Sequence, residues 1–305
     1  MDQTRINSAA VGESQPATGA SDSSAVAPQH GNPTPTSCPT CGNAGQPAVE
    51  PTFVYAIGRI VPRFSRVCGE KEFLQVMGKA ETASLTDRQA LQSVLSKPEN
   101  RYLARQMCWV FLVQGLETYI LMPRDPFDFH LLVESLRPTP NPLDLEIVIG
   151  LKGPLAPPEM CNGLTVPIVA FDQIYSFDRD ALMKAIPRPE KTSAKEFTHA
   201  AEELFERILQ LADNAGATDD HRALNFLVVR YHRIYEVVAE SFARSESLIG
   251  VYVKPSPLSG TRKVVEVILV FVNRATDVET KQFVRVDVTE EFPFLVTKLS
   301  PYYDR

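Results

Sequence analysis

Residues Arg101–Asp125, RYLARQMCWVFLVQGLETYILMPRD, limit what this chain can fold into more than any other stretch. The segment opens as the end of a helix, with Arg101, Leu103, Arg105 and Met107 leading out of a periodic run that begins near Leu85. Two runs rich in aromatic and β-branched residues follow, CWVFLV and TYILM, separated by Gln114-Gly115-Leu116-Glu117. Such runs on either side of a glycine-containing turn predict a hairpin. The rest of the chain must supply a layer on which that hairpin can bury a face.

The flanking pattern supplies helices. Phe53–Ile57 reads as a strand ending at Gly58, and Lys71–Gly78 as a helix. Thr86 or Asp87 caps the next helix, whose apolar positions Leu91, Val94 and Leu95 recur at helical spacing until Pro98 interrupts it. After the turn Pro123–Pro126, residues Phe127–Leu136 form an amphipathic helix with Phe129, Leu132, Val133 and Leu136 inward. Leu145–Leu151 and Val166–Phe171 are strands, and Asp178–Ile186 a short helix. Residues 187–195 read as a linker. Two longer helices are expected at Lys195–Ala215 and Asp220–Arg244, the second capped by Thr218 or Asp219. Three strands follow at Leu248–Lys254, Lys263–Val272 and Lys281–Val288, the last two joined by a hairpin loop at Asn273–Asp277. Helices and hairpins in this order predict an α+β (mixed α/β) domain of antiparallel hairpins packed with helices. An echo of DRQAL before Arg101-Tyr102 in DHRAL before Arg230-Tyr231 allows two similar halves, although its period drifts. The expected divisions are a disordered tail over 1–36, a cysteine knuckle over 37–52, an α/β half over 53–187, and a helix pair with antiparallel sheet over 188–305.

The tail is rich in Ser, Ala, Thr, Gly and Pro and lacks the apolar surface that would offset the entropy of ordering. A net charge of -6, with no basic stripe, argues against a nucleic-acid backbone as partner. The N-terminus shows no basic and apolar signal-peptide regions, and no run reaches the length of a membrane span, so a soluble cytoplasmic protein is expected. There, disulfides are disfavoured and clustered cysteines point to metal or redox use.

Cys38-Pro39-Thr40-Cys41-Gly42 has the form of a zinc knuckle: the spacing puts two thiolates on one metal while the backbone N–H groups face them. A thioredoxin-type site shares the spacing but lies between a strand and a helix, and two free thiols in a loop are the bland alternative. A tetrahedral site needs two more ligands, from Cys68, Cys108, Cys161 or one of five histidines. Cys161 sits in a polar turn that can present its sulfur, whereas Cys108 opens a strand and reads equally well as a small buried hydrophobe.

Catalytic motifs are weak. His30, His130, His199, His221 and His232 show no metalloprotease spacing, and no phosphate-binding or nucleophile-elbow motif occurs. Asp125 is explained by a local salt bridge or cap, and a Cys161 nucleophile beside Glu159 lacks a base at known spacing. Arg101 and Arg105, one helical turn apart, could grip a carboxylate or phosphate; a solvated helix face explains them too.

The segments YAIGRIVPRF, EKEFLQ, LTDRQAL, LSKPENRYLARQMCWVF, GLETYILMPRD, PPEMCNGL and VPIVAFDQIYSF, in that order, resemble the C-terminal domain of the cyanobactin maturation protease PatG. The resemblance runs from Cys38 to near the C-terminus, here freestanding, with a tail where the family has a protease domain. It implies a pathway context, the making of a ribosomally synthesised and post-translationally modified peptide, and not a reaction. It also implies that Cys38, Cys41, Cys108 and Cys161, which fall in family-like segments, are the metal ligands in preference to Cys68. The favoured expectation is thus a non-catalytic accessory protein carrying a structural zinc and binding a precursor peptide or a modifying enzyme, with hairpin edges taking up an extended peptide. The alternative is a metal-dependent peptide-modifying enzyme of the same pathway. A homodimeric scaffold using Tyr302 and Tyr303 is a third reading.

Overall fold

The structure is a computed structural model describing residues 50–78, 85–137, 144–178, 193–209 and 214–303. Glu50–Arg305 belongs to one compact unit. The whole tail over 1–36 and the knuckle segment up to residue 49, with Cys38 and Cys41, lie outside the described residues, as does the expected helix Asp178–Ile186 apart from Asp178.

Five strands close into a barrel: β1 (Phe53–Phe64), β2 (Met107–Val113), β3 (Leu116–Pro123), β4 (Asp144–Leu155) and β5 (Pro167–Asp178), in the order β1-β2-β3-β5-β4. The pairs are antiparallel except β3 with β5, where Ile120 lies beside Ile168 in a parallel register. The expected hairpin is present, its turn made by Gln114 and Gly115, both at positive φ. β1 does not stop at Gly58 as expected but runs to Phe64. Gly58 marks a close crossing, not an end: a Cβ there would come within 2.1 Å of the Leu112 carbonyl oxygen.

One side chain set, contributed by all five strands, fills the barrel interior: Val54 and Ala56, Trp109 and Phe111, Tyr119 and Leu121, Val148, and Val169 and Phe171. Helices α1 (Val67–Met77), α2 (Asp87–Leu95), α3 (Arg101–Gln106) and α4 (Phe129–Glu134) join this core through Phe73, Leu95, Leu103 and Leu132. Thr86 caps α2 in a full capping box with Gln89, and Pro98 starts a 3-10 turn, Pro98–Asn100, that leads into α3. Trp109 is buried and donates its indole N–H to the Ala104 carbonyl at 2.9 Å, tying the barrel to α3.

The other barrel face packs on a second layer. Tyr55, Ile57, Ile147 and Ile149 meet helices α5 (Ala194–Leu209), α6 (Asp219–Arg230) and α7 (Arg233–Ala243). The same core takes in Val265, Val267, Leu269 and Phe271, from an open antiparallel sheet. Its strands are β6 (Glu246–Pro255), β7 (Val264–Asn273), β8 (Glu279–Asp287) and β10 (Ser300–Pro301), in the order β10-β8-β7-β6, with β9 (Phe294–Leu295) also on β8. The single helix expected over Asp220–Arg244 is broken after Arg230, because α6 packs on β1 and β7 whereas α7 packs on α5 and β6. Thr218 caps α6, as expected. Asn214 and Ala215, expected to end the helix Lys195–Ala215, are not helical; the segment 214–217 lies beside β1, where the Gly216 carbonyl accepts from Tyr55 N at 2.8 Å. The mixed α+β class is as expected. The helix–helix–hairpin order does repeat, but the first hairpin closes into a barrel and the second stays open.

Candidate functional site

Three places carry chemistry. The first is a pocket of about 260 Å³ among α2, α3, α4 and the turn Pro126–Asp128. Leu95, Ala104, Phe129 and Val133 form its apolar part, and Arg101, Arg105, His130 and Glu134 its charged and polar part. Asp125 accepts from Phe127 N at 2.9 Å, so the carboxylate is a cap, as expected. Its neighbour Arg124 pairs elsewhere, with Asp172 at 3.2 Å and Glu291 at 3.1 Å. That cap leaves the Phe127 ring 86% exposed at the pocket's lip. The His130 Nδ1 lies 2.7 Å from the Phe127 carbonyl and, facing an acceptor, must carry the hydrogen.

The second is a cysteine pair outside the barrel. Cys108 on β2 and Cys161 in the loop between β4 and β5, expected as metal ligands in a chain where disulfides were disfavoured, are joined in a disulfide. Both are buried in a small cluster with Val110, Ile120 and Ala156. A bonded Cys161 has no thiolate to attack with, which removes the nucleophile considered beside Glu159. Cys68 is free and exposed. No group of three or more His, Cys, Asp or Glu side chains is poised for a metal among the described residues.

The third is the outer face of the open sheet. The hairpin β2–β3 offers no edge, since β2 pairs with β1 and β3 with β5. That corrects the expectation that this hairpin could take up a peptide. Among the described residues β6 has β7 as its one strand neighbour, so β6 ends the order of the open sheet. Beside it lies a shallow groove of about 400 Å³, lined by Ile249, Tyr252, Ile268, Val270 and Tyr302 among others. Its polar end is built on Glu266, 2% exposed, which takes Arg285 at 2.8 Å and Lys254 at 3.6 Å. Lys254 also donates to the Tyr302 hydroxyl at 2.5 Å, and these partners hold its ammonium above the usual lysine range. This groove had no motif in the sequence. Tyr252 and Lys254, two positions apart on β6, were its only trace.

His30 lies outside the described residues, and His199 and His221 sit apart on different helices. His199 stacks on Phe242 at 5.8 Å, and the backbone N–H of His221 is capped by Thr218. No helix among the described residues is long and apolar enough to cross a membrane.

Comparison with known proteins fixes the fold. Residues 191–302 match the model of the family "PatG C-terminal". A solved structure described as "PatG Domain of Unknown Function" superposes with a TM-score of 0.67 at 21% identity, covering 82% of this chain and 98% of that one. No curated protein matches the sequence. The family match lies downstream of the segments YAIGRIVPRF to VPIVAFDQIYSF that first carried the resemblance, whereas the structural match spans most of the chain. The chain therefore resembles the PatG C-terminal domain in both respects, sharing the fold of the PatG domain of unknown function and, over residues 191–302, the sequence pattern of its family.

Proposed function

We propose that the protein is a non-catalytic accessory of a pathway making a ribosomally synthesised, cyanobactin-like peptide, and that it binds the precursor peptide as an added strand on β6. One observation carries the reading: β6 is a ten-residue strand that ends the order of the open sheet, with β7 its one strand neighbour among the described residues, next to a groove lined by the exposed Tyr252. Natural proteins blunt such edges unless they use them. Strand addition draws affinity from main-chain hydrogen bonds and specificity from alternate side chains entering a neighbouring pocket. The likeness to PatG supports the pathway context.

A structural zinc belongs to this proposal in the reduced chain. The spacing of Cys38 and Cys41 puts two thiolates on one metal, and the sequence resemblance adds Cys108 and Cys161 as the other two ligands, which only a reduced chain can offer because the two are joined in the oxidised one. Bound there, the metal would fix the knuckle and supply no open position for chemistry.

Native mass spectrometry of the reduced protein with a cyanobactin precursor peptide tests both parts. The expected result is a complex with one zinc per chain and an unchanged peptide mass, lost in Tyr252→Lys without a fall in melting temperature. A peptide whose mass shifts on incubation would favour the metal-dependent enzyme instead. Absence of a complex would overturn the binding reading.

A further inference from the structure

The structure assigns a second ligand site, independent of β6, to the pocket among α2, α3 and α4: we propose that it binds the carboxylate of an apolar acid. Arg101 and Arg105 stand one helical turn apart on α3 and both line the pocket. Neither guanidinium has an ion-pair or hydrogen-bond partner among the described residues. Five arginines elsewhere among the described residues are ion-paired: Arg63 meets Glu117, Arg124 meets Glu291, Arg233 meets Glu236, Arg262 meets Asp287 and Arg285 meets Glu266. Two unmatched forks on one wall of one pocket are the arrangement that receives a carboxylate, each fork offering paired N–H donors.

Charge and shape narrow the ligand further. The pocket sets two cations against one anion, Glu134, in a chain of net charge -6, so it is a positive spot on a negative molecule. Its apolar part, Leu95, Ala104, Phe129 and Val133, would gain nothing from a bare inorganic anion but would bury a hydrocarbon or aromatic group attached to one. At about 260 Å³ it falls just under the usual range for small-molecule sites, about 300–1,000 Å³, and suits a single side chain with its carboxylate. The exposed Phe127 ring at the lip can cover such a group. Two sources present this chemistry, a free small acid and the C-terminal carboxylate of a peptide ending in a large apolar residue.

Isothermal titration of the full chain with N-acetylphenylalanine, its amide, acetate, and a short alanine peptide ending in phenylalanine tests the site. The acid should bind saturably, and the amide and acetate each about tenfold or more weakly. Arg101→Gln with Arg105→Gln, both at exposed positions, should abolish binding without loss of helix signal, and Glu134→Gln should tighten it. If the peptide binds more tightly than N-acetylphenylalanine, the source is a peptide C-terminus; equal affinity assigns a free acid, and both uphold the site. Equal binding of acid and amide, equal binding of acetate, retained affinity in the double glutamine variant, or no saturable binding would each overturn it. Tyr252→Lys should leave this titration unchanged, so the site and the β6 reading fail separately.

Discussion

The side-chain amide of Asn225 donates to the main-chain carbonyl of Tyr55 at 2.8 Å, across 170 residues of sequence. The same side chain exchanges two hydrogen bonds with Asn214, at 2.8 and 3.1 Å. All these groups are buried, so α6, the 214–217 segment and barrel strand β1 are joined by one polar cluster inside an apolar surround. Asn225→Leu would remove both bonds to Asn214 and the donor to the buried Tyr55 carbonyl. It should lower stability by about 2–3 kcal/mol, read as a reduced urea midpoint at unchanged slope.

Gly216 sits at the same junction with φ of +69°, and a Cβ there would lie 2.3 Å from the Tyr55 carbonyl oxygen. Both the left-handed backbone and the contact penalise a side chain. Gly216→Ala should therefore cost about 3 kcal/mol, more than a typical core substitution. Thermal unfolding of the variant checks it, and a change below about 1 kcal/mol would show that the junction yields.

What the sequence disclosed was local. The hairpin, the Thr86 and Thr218 caps, and the break at Pro98 depend on residues within a few positions of one another, and each is where its pattern puts it. Barrel closure depends on the parallel pairing of β3 with β5 and on β1 meeting β4, contacts that no local pattern encodes. The break at Tyr231 was hidden because the apolar positions of α6 and α7 run on without a gap while their faces pack on different partners. The site divides the same way. Arg101 and Arg105 are legible from their spacing, but the facing His130 and Glu134 come from another element. The pairing of Cys108 with Cys161 joins segments 53 residues apart, and spacing alone does not say which cysteines meet.

Trp109 is the only tryptophan and is 1% exposed, so its emission reports directly on the barrel. It should be blue-shifted and resistant to iodide quenching in the folded chain. Trp109→Phe keeps an aromatic ring but leaves the buried Ala104 carbonyl without its 2.9 Å donor. Removing that donor should cost about 1–3 kcal/mol, measured by circular dichroism since the probe itself is lost.

Alkaline pH should unfold the protein through its buried phenols. Burial pushes Tyr55 and Tyr119 up to about 12, and Tyr235 further still. In the unfolded chain these groups ionise near 10. Between those values the folded state holds protons that the unfolded state has released, so stability is intact below about 10 and falls as pH rises towards 12, by about 2–3 kcal/mol for each phenol. Tyr119→Phe should move the alkaline midpoint upward, followed by tyrosinate absorbance. Its cost at neutral pH is the hydroxyl's 2.9 Å hydrogen bond to the Ala215 carbonyl.

In the oxidised chain, Cys108 and Cys161 pin the β4–β5 loop onto β2, and the bond closes a loop between residues 53 apart. Restricting the unfolded chain to that extent stabilises the fold by about 4 kcal/mol on the chain-entropy account. Cys108→Ser and Cys161→Ser should each remove most of this, and the double variant no more than either single one, because both destroy the same bond. Dithiothreitol should destabilise the metal-free wild type by the same amount and leave the variants unmoved. Local opening should appear first at Ala156–Val166, which rests on the small cluster of Val110, Ile120 and Ala156 and not on the barrel interior. Hydrogen exchange of that loop, oxidised against reduced, decides the matter: equal protection in the two states would mean that the cluster alone holds the loop and that the bond contributes little.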